Sequence, residues 1–417
     1  MPNRLKIVYF NYLYDLYEGS LGSTIKAQKL MAELRRQGHN VRVYWLNAKH
    51  EENGSEIKKQ RLRTLLKKKL SRYVHEANQI LSNLRYYFRE KEILKKESPD
   101  LLILRLQAYF FSAVILAKQK RIPVLLEADC PAAYENRKFF LQYLKLPLIN
   151  EWIERINFRL ADAIFTVSEE LKRYITDRGI ASERVKVIPN GAECGGVRKE
   201  KLEQIRERYA LNNKTILGFV GSFHHWHGVC NLTALIEKTV SYDPNVTFLL
   251  VGHGGPMASE LREFVRTKKM DKNVILTGFV PHSEIPNYIA SMDIVLAPYP
   301  KLDFFYYSPV KIYEYMAYGK PVISSRIGQI QEIIQHMKTG LLCEPDDLDD
   351  FFVNIRLLLE KPELRLQIGE CARRMVQSQH TWRHRGKALS DLCKALVHNF
   401  EELNDGKNTN NRRSFYF

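Results

Sequence analysis

Ala297 to Gly328, APYPKLDFFYYSPVKIYEYMAYGKPVISSRIG, carries the punctuation of a strand, a loop, a helix and a second strand. Asp293 to Pro298 is short and apolar, as a strand buried on both faces of a parallel sheet must be. Ser308-Pro309 reads as a helix opening, an N-cap hydroxyl followed by proline at the first helical position. Gly319 supplies the left-handed residue that ends this helix near Tyr318, and Pro321 leads into the strand PVISS. A helix N-terminus facing the carboxyl ends of parallel strands offers unpaired N–H groups and a positive dipole end. That arrangement suits a phosphate or diphosphate. Glu314, one to two turns in, suits the diol of an adjoining sugar, as acidic residues do in other nucleotide sites. The plainer alternative is an ordinary capped helix with Glu314 solvated.

The segment SPVKIYEYMAYGKPVISS resembles the donor-nucleotide motif of family 4 of the retaining GT-B glycosyltransferases. The resemblance implies that Glu314 binds the ribose of a nucleotide-sugar. It also implies that the helix start (Ser308, Pro309, Val310), with Lys311, stabilises the departing diphosphate. Relatives carry a second glutamate eight residues before the first, in contact with the transferred sugar; here that position is Tyr306, kept as a substrate-binding candidate.

At 417 residues the chain is too long for one core and suits two domains. A hydrophobic share of 45% with 27% charged residues excludes a disordered or fibrous class. The six cysteines are scattered without a C-x-x-C pair, which reads as reduced thiols of a cytosolic protein. LKIVYF near the start is too short for a signal-peptide core, and Leu101 to Ala117, interrupted by Arg105 and Gln107, is too broken for a span. The net charge of +17 favours an anionic partner.

Leu5 to Phe10 reads as a first buried strand. Gly19 to Ser23 follows as a glycine loop, and Thr24 to Gln37 as a helix ended by Gly38 before the strand VRVYW. Gly19 and Gly22 let the backbone approach a ligand, although a tight turn explains them equally. The resemblance places a glycine-rich loop here, beside acceptor and donor phosphates. Residues 58–96 hold 13 lysines and arginines against 3 acidic residues, a net +10. Within this block Leu62, Leu66, Leu70, Tyr73, Ala77, Leu81, Leu84 and Phe88 recur every three or four residues. Such a stripe faces either the core or a membrane. LLILRL and IPVLLE are further strands, and Glu127 and Asp129 end the second, where ligand-binding side chains belong in an open parallel sheet. Asp129 aligns with a family histidine near the reacting sugar, which makes it a candidate to orient or deprotonate an acceptor hydroxyl; a turn residue before Pro131 is the alternative. Arg137 to Leu160 reads as one long helical stretch, followed by the strand DAIFTVS and a helix over Ser168 to Arg178.

VKVIPNGAE is similar to the family's hinge segment, and the alternation restarts with TILGFVGSFHHWHG. Relatives place an arginine and a lysine here to clamp the diphosphate, where this chain has Ser222 and His227. A histidine titrates near neutral pH, so His227 is expected to supply the charge as an imidazolium, aided by His224 or His225. Metal binding and simple packing are the alternatives for these histidines; His224 and His225 are adjacent and point apart on an extended loop, which disfavours a metal. VTFLLVGHGGPM, VILTGFVPHSEIP and HTWRHRGKAL resemble later family segments, and Leu341 to Arg374 reads as helical.

The expected architecture is therefore α/β, two Rossmann-like domains (GT-B) facing each other across a cleft, with a C-terminal helix crossing back to the first. The expected bounds are 1–188 for an acceptor domain, 189–213 for a linker, 214–380 for a nucleotide-sugar domain, 381–400 for the crossover helix and 401–417 for a mobile tail. The expected activity is retaining sugar transfer from a nucleoside diphosphate sugar to a hydroxyl acceptor, in polysaccharide, glycolipid or glycoconjugate biosynthesis. The alternative is a nucleotide-sugar-binding protein that has lost catalysis. No metal or other cofactor is expected. The expected setting is cytoplasmic, peripheral on an anionic membrane. A nucleic-acid partner is disfavoured, since the basic charge lacks interleaved aromatics or a reader motif.

Overall fold

The computed structural model describes residues 4–12, 22–46, 71–139 and 146–404. The chain divides into two compact units, Met1–Pro189 with Gly386–Phe417, and Asn190–Arg385.

The first unit runs β1 (Lys6–Asn11), α1 (Gly22–Arg36), β2 (Asn40–Trp45), α2 (Ser71–Glu97), β3 (Leu101–Arg105), α3 (Ser112–Gln119), β4 (Val124–Ala128), α4 (Ala132–Phe139), α5 (Pro147–Leu160), β5 (Ala163–Thr166), α6 (Glu169–Thr176) and β6 (Val185–Val187). Its six strands form one parallel sheet in the order β2-β1-β3-β4-β5-β6. Every residue of β3, β4 and β5 is buried, which is why these strands read as unbroken apolar runs. Asp100 and Asp162 stand just before β3 and β5, and each accepts the first N–H of a neighbouring strand (Lys6 at 2.7 Å, Val124 at 2.8 Å). Ser168 caps α6 by accepting from Leu171 N–H. The stretch expected as one helix over 137–160 is two, α4 and α5, with 140–145 outside the described residues.

Helix α2 turns Asn83 and Glu90 inward, beside Tyr86 and Leu94. Asn83 donates to the Tyr109 carbonyl (2.7 Å) and accepts from Phe111 N–H (2.8 Å); Glu90 accepts from the hydroxyls of Tyr12 (2.6 Å) and Ser112 (3.0 Å). The apolar stripe consequently faces out, with Leu81, Leu84 and Phe88 exposed at 68, 68 and 60%. Leu62, Leu66 and Leu70 lie outside the described residues.

The second unit runs α7 (Lys199–Arg208), β7 (Thr215–Val220), α8 (Val229–Tyr242), β8 (Val246–Val251), α9 (Ala258–Thr267), β9 (Val274–Leu276), α10 (Ile285–Ser291), β10 (Ile294–Ala297), α11 (Val310–Ala317), β11 (Val322–Ser325), α12 (Ile330–Ile333), β12 (Leu341–Cys343), α13 (Leu348–Glu360), α14 (Pro362–Gln379) and α15 (Trp382–Asn404). From Gly386 on, α15 belongs to the first unit. The expected linker stretch contains α7 and lies in the second unit from Asn190; the stretch read as helical from Leu341 opens instead with β12. Residues 405–417 of the expected tail are outside the described set. The sheet is again parallel, in the order β12-β11-β10-β7-β8-β9. Strand order reverses between β7 and β10, and the corresponding reversal in the first unit lies between β1 and β3. In open parallel sheets the crevice past the strand ends at such a reversal is where ligands bind.

Candidate functional site

In the second unit the loops leaving β7 and β10 meet at the reversal point. Gly228, at the start of α8, has φ 77°, and a Cβ there would lie 1.8 Å from the Pro298 carbonyl oxygen. Only glycine permits this approach. Helix α11 starts beside it, and its sequence-expected cap is corrected: Pro309 holds the N-cap position with no side-chain cap. The Ser308 hydroxyl accepts instead from Asn190 N–H at 2.9 Å. The first-turn N–H groups of α11 are thereby left without a side-chain acceptor, and Gly319 (φ 68°) closes the helix as expected.

Lys311 extends from this first turn toward β7. Its Nζ lies 4.3 Å from the centre of the Phe219 ring and 5.6 Å from that of Tyr299. A Cβ on Gly221 would come within 2.8 Å of it. The ammonium is buried and has no hydrogen-bond partner among the described residues. Burial pulls its pKa down to about 7, with Glu314 opposing. An unpaired buried cation costs folding free energy, and perturbed groups of this kind cluster where ligands bind.

His227 does not play the charged part expected of it. Its Nδ1–H donates to the Ser222 carbonyl at 2.7 Å. Burial, reinforced by the Lys311 ammonium, pushes its pKa down to about 3, so the ring is neutral across the physiological range. Ser222 is half-buried and enters this bond through its backbone, whereas His225 is exposed. The His224 ring stacks on Trp226 with 4.1 Å between centroids, and burial lowers its pKa as well. Among the described residues no group of three or more His, Cys, Asp or Glu side chains is placed to hold a metal ion.

Glu314 accepts from His282 Nε2 at 2.9 Å. The bond fixes the direction of the carboxylate while leaving the second oxygen for another donor. His282 belongs to the GFVPHSEIP segment, and the sequence held no sign of this pairing. Tyr306 is a packing residue, only 1% exposed, with its ring 4.2 Å from that of Tyr307. Val310 is half-buried at the helix start, and Pro309 is buried.

In the first unit Glu127 and Asp129 belong to one buried charge cluster. Lys26 from α1 pairs with both, at 3.0 Å from Glu127; Arg105, ending β3, lies 2.8 Å from Asp129. Tyr9 donates to Glu127 at 2.5 Å. Two cations balance two carboxylates. Burial acts to raise the Asp129 pKa, but Lys26 and Arg105 outweigh it and hold the carboxyl below its usual range. Such a group orients a hydroxyl better than it takes a proton. Arg105 inside the apolar run LLILRL was the available signal for this cluster; Lys26 sits unmarked in a helical pattern. Gly22 opens α1, and Gly19 lies outside the described residues.

The model of Glycosyltransferase Family 4 matches residues 22–194, and that of Glycosyl transferases group 1 matches residues 214–361. Alpha-D-kanosaminyltransferase of Streptomyces kanamyceticus is 22% identical over 254 residues, 60% of this chain. That match spans 64% of the relative's own length. Sucrose-phosphate synthase from Thermosynechococcus elongatus superposes with a TM-score of 0.71 at 18% identity, covering 94% of this chain and 99% of that one. Anabaena HepE in complex with UDP-glucose gives 0.67 at 17% identity, covering 96% and 100%. These structural likenesses establish the GT-B fold.

Proposed function

Because the chain belongs to family 4 of the GT-B glycosyltransferases, we propose that it moves a sugar, with retention, from a nucleoside diphosphate sugar to an acceptor hydroxyl. The observation that carries this reading is the orphaned Lys311 ammonium, set at the strand-order reversal beside the uncapped start of α11. A diphosphate there would gain backbone N–H donors, the dipole end and a full positive charge in a largely water-free setting. Lys311 thus takes alone the part that the sequence divided between His227 and Lys311. The Glu314–His282 pair is suited to the ribose diol. Asp129, held ionised by Lys26 and Arg105, is the residue suited to orient an acceptor hydroxyl. As the bond from the sugar to the diphosphate breaks and the acceptor oxygen bonds to the same carbon, the hydroxyl proton passes to the departing phosphate oxygen. A phosphate with a pKa near 6 is a stronger base than the held-down Asp129. The reading of a binding protein without catalysis is disfavoured in so far as Lys311 supplies the charge that Ser222 and His227 lack.

The acceptor is proposed to be carried by an anionic membrane. Leu81, Leu84 and Phe88 form an exposed apolar face on α2, with Arg85, Arg89, Lys91 and Lys95 on the same helix. A basic amphipathic surface of this kind suits an anionic leaflet, at about 1 kcal/mol for each basic residue near it. No helix of the described residues is long and apolar enough to cross a membrane. Flotation with phosphatidylglycerol vesicles tests the face: recovery at low salt should vanish in Leu84→Glu/Phe88→Glu. Equal recovery of that variant removes the membrane from the proposal.

The activity itself is tested by thermal shift with UDP, GDP, ADP and dTDP sugars, followed by transfer assays. A nucleotide at about 100 times its dissociation constant adds roughly 2.7 kcal/mol of stability. No shift with any of the four would refute the donor site.

A further inference from the structure

The chain enters the second unit at Asn190 and leaves it after Arg385. These two residues are tied to each other and to the start of α11. Arg385 Nε donates to the Asn190 carbonyl at 3.0 Å, and its Nη2 donates to His380 Nδ1 at 2.6 Å. Backbone bonds join the same two segments, Ala192 N–H to the His380 carbonyl (3.1 Å) and Trp382 N–H to the Ala192 carbonyl (3.2 Å). Asn190 then grips Ser308 twice: its N–H donates to the hydroxyl at 2.9 Å and its Nδ2 to the Ser308 carbonyl at 2.6 Å. The Arg385 guanidinium also lies 5.9 Å from the centre of the Tyr313 ring on α11, which packs 5.6 Å from that of His380.

Uncapped helix starts fray. Here the first turn of α11 has one backbone bond, Ile312 N–H to the Pro309 carbonyl (3.1 Å), and no side-chain cap, yet that turn is the end facing the proposed diphosphate. We propose that Asn190 and Arg385 are positioning residues for the donor: they clasp Ser308 and Tyr313 and so hold the first turn of α11 where its N–H groups and Lys311 meet the diphosphate. The clasp acts on donor affinity rather than on the chemical step, and it links that affinity to the two points where the chain passes between units. This rests on the donor reading above, and the experiment separates the two.

Amide hydrogen exchange is measured on the full chain without nucleotide, in Asn190→Ala, Arg385→Met and Arg385→Lys. Exchange at Ile312, whose N–H donates to the Pro309 carbonyl, should quicken about fivefold or more in the first two, and Arg385→Lys, which keeps a charged donor, should restore most of the protection. Whichever of UDP, GDP, ADP or dTDP sugar binds the wild type should show a KM raised about tenfold in Asn190→Ala, with kcat within about twofold. If Asn190→Ala fails to fold, Ser308→Ala removes only the hydroxyl half of the grip and is read in the same way. Unchanged exchange at Ile312, or a fall in kcat at constant KM, overturns the clasp. Failure of Glu314→Ala to weaken nucleotide binding sinks the donor reading instead, and leaves the exchange result to decide the clasp alone.

Discussion

Replacing Lys311 by methionine should make the protein more stable and unable to bind its nucleotide. The ammonium titrates at about 7 in the folded chain against an ordinary 10.5. Between these values the unfolded chain holds a proton that the folded chain lacks, so wild-type stability rises with pH across that window. Below about pH 7 both states are charged and the folded state bears the whole cost of burial. At about 1.4 kcal/mol per tenfold, that cost is on the order of 5 kcal/mol. Methionine has similar length and suits the faces of Phe219 and Tyr299, so Lys311→Met should recover a large part of it in melts at pH 6 and very little at pH 10. The groups facing the ammonium are His227, already neutral, the Tyr299 ring, and Glu314 on its own helix, so no other group near it should titrate in this window. A bound diphosphate would hold Lys311 charged. Wild-type binding at pH 8 should therefore take up close to one proton, seen as a slope of calorimetric enthalpy against buffer ionisation enthalpy, and affinity should fall toward tenfold per pH step above 7. A variant that is no more stable and keeps its nucleotide affinity, or a wild type that binds without proton uptake, would show that Lys311 is an ordinary core lysine.

Glu314→Ala should weaken nucleotide binding by roughly 1.5–3 kcal/mol in a folded protein, and His282→Ala by less, since it only orients the carboxylate; titration calorimetry measures both. Asp129→Asn should cost about 3 kcal/mol in urea unfolding, because Lys26 and Arg105 would then face Glu127 alone. The contribution of Asp129 is fully present above the ordinary 3.8 and fades as pH falls below it, so the two proteins should converge in stability at strongly acid pH. Gly228→Ala must strain a φ of 77° and push against the Pro298 carbonyl. It should lose about 1–3 kcal/mol from the backbone alone and open the loops around Lys311, which a combined melt and nucleotide titration would register.

The two parallel sheets were legible because their strands are buried on both faces, so β3, β4 and β8 had to be apolar runs. Helix α11 was legible in its extent from Gly319, yet its start was misread. Ser308 has the chemistry of an N-cap, but its hydroxyl is taken by Asn190, a partner 118 residues away. The face of α2 was undecidable from periodicity because its inward side mixes the polar Asn83 and Glu90 with Tyr86 and Leu94, which weakens its apolar signature below that of the exposed stripe. β12 is three residues long and merged with the helical pattern that follows. In the candidate site the types of residue were visible and their pairings were not. Nothing in one dimension joins His282 to Glu314, or Lys26 to Asp129.

The placement of the positive charge shows why substitutions at a motif cannot be read one at a time. Ser222 and His227 lack the two permanent cations that relatives carry at these positions, and with His227 held near a pKa of 3 neither position contributes a charge. Lys311 reaches the same spot from α11, on the other side of the strand reversal, its Nζ against Gly221. The exchange changes more than the origin of the charge. A cation on the exposed face of a loop is solvated and permanent, whereas one packed over Phe219 and Tyr299 carries its charge at a cost that only an anion can offset. A neutral imidazole beside it is then a requirement rather than a loss, since a second buried cation at His227 would push Lys311 further from its charged form. His227→Lys should on this account fail to strengthen donor binding, and should lower the pH at which affinity begins to fall. A variant that binds more tightly with an unmoved pH profile would mean that the two positions do not share one electrostatic site.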